Sequence, residues 1–277
     1  LAKKAGYELR VVHIPKTIDN DLRTTDHCPG YGSAARFVAC ALMGDDRDNA
    51  SIPGVKIDVI MGRHAGWLTA ATALGRQDEA DGPHLIYLPE RPVAEDQLVA
   101  DVDAVLKKHG RCVVAASEGI TAPDGQAWAQ KITETQERDA HGNIQLSGSG
   151  ALGDYIAGLV KGKLKAKRVR ADTLGYMQRS FAGFASAVDQ KEARLAGRMA
   201  VQYAMADDVD GSVAFERTGN GDKYGIRCFR TDLANVARET KDLPDAFIAA
   251  NGHDVTKAFI EYAMPLTGGL PKIAKLF

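Results

Sequence analysis

The stretch "VKIDVIMGR", residues 55–63, decides the fold class. It is a short apolar strand-like run that stops at Met61, Gly62 and Arg63 and is followed at once by a helix-like segment, Trp67–Leu74. A strand that leads straight into a helix is half of a β-α-β unit. The same succession recurs along the chain. Strands are predicted at Tyr7–Ile14, Val55–Met61, His84–Leu88, Cys112–Ser117, Arg168–Thr173 and Ser212–Glu216. Between them Gly32–Met43, Trp67–Leu74, Ala94–Lys108, Leu152–Leu164 and Lys191–Ala206 are long enough for helices. That alternation predicts an α/β fold, with mostly parallel sheets flanked by helices. In the last helix Leu195, Met199, Tyr203 and Ala206 recur every three or four residues and are expected to form one buried stripe. Residues 121–146, polar and rich in turn formers, are expected to form a surface excursion.

Composition narrows the function classes. The 277 residues fit one large or two moderate domains, and 45% hydrophobic with 26% charged residues is ordinary for a globular chain. A formal net charge of −1 provides no global field to draw in nucleic acid or anionic lipid, so neither is expected as a partner. Cys28, Cys40, Cys112 and Cys228 are widely spaced without a C-x-x-C pair, and no apolar run reaches the ~18 residues of a membrane span. A reduced, cytoplasmic protein is expected. The chain begins at Leu1 without an initiator Met and is expected to be an excerpt of a longer protein.

In open α/β sheets ligands bind beyond the carboxyl ends of the strands. Four such ends carry polar groups: Met61, Gly62 and Arg63; Glu118 and Gly119; Tyr176 and Arg179; and, in "HIPKTIDNDL" (residues 13–22), Lys16 and Asp19. Arginine suits phosphate oxygens through its planar fork, lysine acts as a point charge, and a carboxylate suits sugar hydroxyls. A phosphorylated sugar fits this set. Phosphoryl transfer further requires a group that accepts the nucleophile's proton, and Asp19 supplies it.

The chain resembles the phosphofructokinase family, specifically its pyrophosphate-dependent branch. "PKTIDND", "MGRHAGW", "SEG" and "LGYMQRS" occur in the family's order, and "GSVAFER", "VTKAFIEYAMPLTG" and "LPK" extend the likeness over most of the chain. The resemblance implies Asp19 as the base that takes the proton of the sugar's 1-hydroxyl, with Lys16 and Thr17 beside it and Asp21 as electrostatic support. It implies fructose 6-phosphate held by Thr17, Ile18, Asp19, Met61, Gly62, Arg63, Glu118, Tyr176, Met177, Gln178 and Arg179. Lys16 is the residue that points to pyrophosphate as donor, because it would crowd the space a nucleotide needs. Magnesium is expected on the donor phosphates, with no metal ligand in this chain, because no "GGDG"-type donor loop precedes residue 13. A homo-oligomer, dimer or tetramer, is expected. So are two lobes: residues 31–186 for the sugar phosphate, and residues 1–30 with 187–277 for the donor.

Rival readings have weaker support. An ATP-dependent phosphofructokinase would share most of these motifs, and a catalytically silent sugar-phosphate-binding subunit would not need Asp19. "GSGALG", with Gly148, Gly150 and Gly153, satisfies G-x-G-x-x-G, and Asp172 follows where a ribose-binding acid would sit in a dinucleotide-dependent oxidoreductase, but only the short "NIQL" precedes it. The basic run Lys161–Arg170 lacks interleaved aromatics and fits a helix end better than a nucleic-acid patch. His64 lies within "MGRHAGW", yet the histidines show no zinc-ligand spacing, and Ser117, Ser147 and Ser149 lack a G-x-S-x-G elbow.

Overall fold

The computed structural model describes residues 1–132, 150–206, 210–237 and 239–274. Four parallel strands, β2 (Val55–Ile60), β3 (Leu85–Tyr87), β4 (Cys112–Ser117) and β5 (Val169–Thr173), form one sheet in the order β3-β4-β2-β5. A second sheet has the order β1-β6-β7, with β1 (Val12–His13) parallel and β7 (Gly225–Thr231) antiparallel to β6 (Gly211–Gly219). The helices are α1 (Tyr31–Ser51), α2 (Trp67–Ala71), α3 (Glu95–His109), α4 (Trp128–Ile132), α5 (Ala151–Leu164), α6 (Ala187–Ala206), α7 (Leu233–Ala237) and α8 (Lys257–Ala263). The fold is α/β. Among the described residues no helix is long and apolar enough to cross a membrane.

The central strands β2 and β4 are buried along their whole length, because helices cover both faces of the four-stranded sheet. Successive side chains point to opposite faces, so Ile60, Ile86, Val113 and Ala115 join one core while Val55, Ile57, Val59, Val114 and Ala116 join another. The first core includes Ala35, Val38 and Leu42 of α1 and, from the C-terminal region, Leu243, Phe259, Tyr262 and Leu266. The second includes Leu98 and Val102 of α3 and Ile156 and Val160 of α5.

Several expectations change here. The Tyr7–Ile14 strand shrinks to Val12–His13, since Tyr7, Leu9 and Val11 are exposed and only this pair meets β6. The Leu195, Met199, Tyr203 and Ala206 stripe is not the buried one. The residues of α6 that are buried are Asp189, Glu192, Ala196 and Ala200; Leu195, Met199 and Tyr203 are half-buried and Ala206 is exposed. The reason is steric: Val213 and Phe215 of β6 fill the interface with α6, so alanines make the close approach. The edge strand β7 and the helices α4, α7 and α8 escaped the sequence reading.

The basic run behaves as a helix end, with Lys161 and Lys163 in the last turn of α5 and Lys165 as its C-cap. Of "GSGALG", Gly150 caps α5 with φ +64° and Gly153 packs on Ala171, while Gly148, Ser147, Ser149 and the preceding "NIQL" lie outside the described residues, as do residues 133–146 of the surface excursion. Asp172 faces Lys56, which also lies 3.1 Å from Asp45 and 3.3 Å from Asp58. These three carboxylates are the one acidic cluster with converging oxygens among the described residues, and the Lys56 ammonium sits within it.

Candidate active site

The loop from β1 to α1 carries Lys16, Thr17, Ile18 and Asp19. Ile18, only 7% exposed, drops its side chain into the main core and anchors the segment. Thr17 pairs with Gly30 through a single parallel β-bridge, and its hydroxyl accepts the Asp19 N–H at 3.1 Å. On the far side, the Asp21 carbonyl accepts the Lys241 N–H at 2.7 Å. Between these ties Asp19 Oδ1 is buried without a hydrogen-bond partner among the described residues. Burial, reinforced by the charges of Asp21 and Glu118 and opposed by Arg63 and Arg179, lifts the Asp19 pKa to about 6. The five groups therefore share one electrostatic site.

Residues beyond β2 and β4 interlock. Ser117 Oγ donates to the Gly62 carbonyl, and Gly62 N lies 3.5 Å from Glu118 Oε1. Gly62 has φ +142°, and a Cβ on Gly119 would lie 2.1 Å from the Arg63 carbonyl. Glycine is needed at both positions for the two strand ends to close on each other. Glu118 is thereby held at 4% exposure, and Arg63 is half-buried. His64 is exposed.

After β5 a 3₁₀ turn, Gly175–Arg179, presents Tyr176, Met177 and Arg179 outward, with the Arg179 guanidinium 4.6 Å over the Tyr176 ring. Gln178 points inward: its Oε1 accepts Met61 N–H at 3.1 Å and its Nε2 donates to the Gly175 carbonyl at 2.9 Å. Both ends of its amide are spent on joining the Met61 loop to the turn. A cleft of about 240 Å³ has Lys16, Gln178 and Arg179 in its lining, with Ile18, Phe37 and Phe184. The structure thus gathers all four sequence-predicted strand ends.

The supporting network was not foreseen. Asn20, fully buried, bonds to Tyr262 and to the Cys28 backbone. His27 lies between Asp26 and Glu192; Asp189 accepts the Gly30 N–H at 2.8 Å; and Lys241 Nζ donates to the carbonyls of Thr25 at 3.0 Å and Asp26 at 2.9 Å. Asn20 and Tyr262 lay inside quoted motifs, "PKTIDND" and "VTKAFIEYAMPLTG", and an asparagine between two aspartates was the available signal.

The phosphofructokinase family model matches residues 1–204. The chain is 56% identical to a pyrophosphate–fructose 6-phosphate 1-phosphotransferase of Rhodospirillum rubrum, over 99% of this chain and 68% of that protein. It is 36% identical to one of Halomonas elongata, over 100% of this chain and 67% of that protein. The crystal structure of the pyrophosphate-dependent phosphofructokinase of Marinobacter aquaeolei superposes with a TM-score of 0.81 at 31% identity, covering 99% of this chain and 66% of that one. The chain spans about two thirds of the length of these relatives. The fold, the order of the strand-end motifs and the matched model agree, and the chain belongs to the phosphofructokinase family.

Proposed function

We propose that this chain carries the fructose 6-phosphate site and part of the donor side of a pyrophosphate-dependent 6-phosphofructokinase, which transfers a phosphoryl group from pyrophosphate to the 1-hydroxyl of fructose 6-phosphate, reversibly, as a step of glycolysis in the cytoplasm. The observation that carries the reading is the buried, unpartnered Oδ1 of Asp19, with a pKa near 6, in a site shared with Arg63, Arg179 and Glu118. A carboxylate tuned close to neutrality accepts a hydroxyl proton and returns it in the reverse direction. Arg63 and Arg179 neutralise phosphate charge, Glu118 accepts from sugar hydroxyls, and Tyr176 releases Arg179 from its ring when an anion arrives. Thr17, Ile18, Met61, Gly62 and Met177 line the acceptor through their backbone or side chains. The buried Gln178 acts by holding the turn against Met61.

Lys16, exposed at the cleft, suits a compact donor of two phosphoryl groups and crowds a nucleotide. Magnesium would supply charge neutralisation on the donor phosphates. The one cluster of carboxylates with converging oxygens among the described residues, Asp45, Asp58 and Asp172, already holds Lys56, so the cation would be carried by the donor phosphates themselves. Residues 31–186 serve the sugar phosphate, and residues 1–30 with 187–277 the donor side. A dimer or tetramer of identical subunits completes the proposal.

The test is an assay of the full-length protein with fructose 6-phosphate, magnesium and either pyrophosphate or ATP, repeated with Lys16→Gly. Faster turnover with pyrophosphate, lost in the variant, is expected. Faster turnover with ATP, or an unaffected variant, overturns the donor assignment.

A further inference from the structure

We infer that Asn20 is the positioning residue of the base: its side chain, bonded to Tyr262 and to the Cys28 backbone, fixes a left-handed turn that keeps the Asp19 carboxylate inside the site. The inference rests on the reading of Asp19 as the base of a phosphoryl transfer.

The backbone supplies the first argument. Asn20 has φ +58°, a conformation sparsely populated by non-glycine residues and best tolerated by asparagine and aspartate. This left-handed residue sits between Asp19 and Asp21, just after the bend at Ile18 and Asp19, so the direction of the Asp19 side chain depends on it. A residue with φ below zero at this point would send the chain elsewhere.

The side chain supplies the second. Asn20 is fully buried; its Nδ2 donates to Tyr262 Oη at 3.1 Å and its Oδ1 accepts the Cys28 N–H at 3.0 Å. Tyr262 Oη in turn donates to the Asp26 carbonyl at 2.9 Å. One amide therefore ties the base loop to α8 and to the segment that leads into α1. Asparagine is needed for both bonds, because aspartate would supply only acceptors and serine lacks the reach for two partners on opposite sides.

The result is a base flanked by two anchors. Ile18 is held in the core on one side and Asn20 is locked on the other, and the carboxylate between them has a buried oxygen that finds no donor among the described residues. A free carboxylate would rotate toward water or toward a cation. This one is kept beside Asp21 and Glu118, with Arg63 and Arg179 acting from the opposite strand ends and Lys16 at the edge of the same cleft. Misplacing a catalytic group by ~1 Å lowers turnover by roughly 10² without weakening substrate binding to match, which is the signature expected here.

The experiment compares Asn20→Ala, Asn20→Gly and Tyr262→Phe with wild type in the full-length protein. The Asp19 carboxyl is followed by ¹³C NMR with labelled aspartate, assigned through Asp19→Asn, and steady-state kinetics are measured with fructose 6-phosphate and pyrophosphate. In Asn20→Ala the Asp19 midpoint is expected to fall from about 6 toward the ordinary 3.8 as the carboxylate gains solvent. Its kcat falls by roughly 10–10², with KM for the sugar phosphate changing less than about threefold. Asn20→Gly, which keeps the left-handed backbone, recovers part of the loss, and Tyr262→Phe shows a smaller change of the same sign. A folded Asn20→Ala with an unchanged Asp19 titration, or with kcat falling only as KM rises, overturns the inference. If that variant does not fold, Tyr262→Phe decides by the same two readouts. Absence of turnover in the wild type with every donor would defeat the phosphotransferase reading alone, and the titration would still decide the role of Asn20.

Discussion

His27 and Glu192, far apart in sequence, meet at 2.8 Å through Nε2 and Oε2, and the other ring nitrogen of His27 lies 2.8 Å from Asp26. The imidazole is 2% exposed, and with a carboxylate at each nitrogen both positions donate, which defines an imidazolium. Burial by itself would lower its pKa, but the hydrogen bonds to Asp26 and Glu192 prevail and raise it above 6.5. Tyr224 completes the cluster by donating to Glu192 Oε1 at 2.6 Å. The cluster clamps the segment following the base loop onto α6.

A raised folded-state pKa sets the sign of the pH dependence: the stabilisation is complete below the unfolded value near 6.5 and is lost as pH rises through the higher folded value. His27→Asn leaves two carboxylates without their shared cation, and breaking a buried pair in this way costs ~3–5 kcal/mol. Urea unfolding should show that gap at pH 6 and a narrower one as pH climbs above the folded value. A gap independent of pH would mean that His27 is neutral in the fold.

Asp19 is expected to govern the acid limb of the reaction. A base works only when deprotonated, so kcat/KM should fall as pH drops through about 6. Asp19→Asn should lower kcat by roughly 10²–10⁴ and leave sugar affinity nearly unchanged. Removing a cation that favours the ionised form, as in Arg179→Ala, should move the acid limb to higher pH. A limb that stays in place in that variant would assign the titration to another group.

Much of this was legible in the sequence where local chemistry decides the outcome. The strands β2 and β4 carry unbroken apolar runs because both their faces are covered, and the polar groups just beyond them stand out against those runs. The edge strand β7 did not stand out, since Arg227 and Arg230 interrupt its pattern and only part of each residue is buried. The buried face of α6 was misjudged by one position. Its side chains are selected by the bulk of Val213 and Phe215, which no periodicity within the helix reports. The network around Asp19 was hidden for a related reason: Tyr262, Glu192 and Asp189 are distant in sequence, and polar residues that are buried because they find partners look like surface residues until the partners are known.

Gly119 tests the interlock of the strand ends. Its missing Cβ leaves room for the Arg63 carbonyl, which a methyl group would meet at 2.1 Å, and the obstacle is backbone that must shift as a unit. Gly119→Ala should therefore displace Arg63 and raise KM for fructose 6-phosphate by roughly tenfold, about the 1.4 kcal/mol of one weakened charge-assisted bond. Unphosphorylated fructose, if it binds, should be affected less. An equal loss for both sugars would place the damage in Glu118 and the sugar hydroxyls.

Asp189 provides the last test, because it reaches the catalytic loop through Gly30. The helix α1 begins at Gly30 without a side-chain cap of its own. Asp189 of α6 supplies one from outside: Oδ1 accepts Gly30 N–H at 2.8 Å, and Oδ2 accepts Ser33 N–H at 3.1 Å and the Ser33 hydroxyl. A carboxylate at a helix N-terminus also complements its dipole. Since Gly30 pairs with Thr17, slack at the cap should pass to Lys16 and Asp19. Asp189→Ala leaves buried N–H groups without an acceptor, at a cost of about 1–3 kcal/mol each, and should lower both the urea midpoint and kcat. Asp189→Asn keeps one acceptor oxygen and should fall between the alanine variant and wild type in both measurements. A variant that loses stability while kcat holds would show that the Thr17–Gly30 bridge does not transmit the cap to the base.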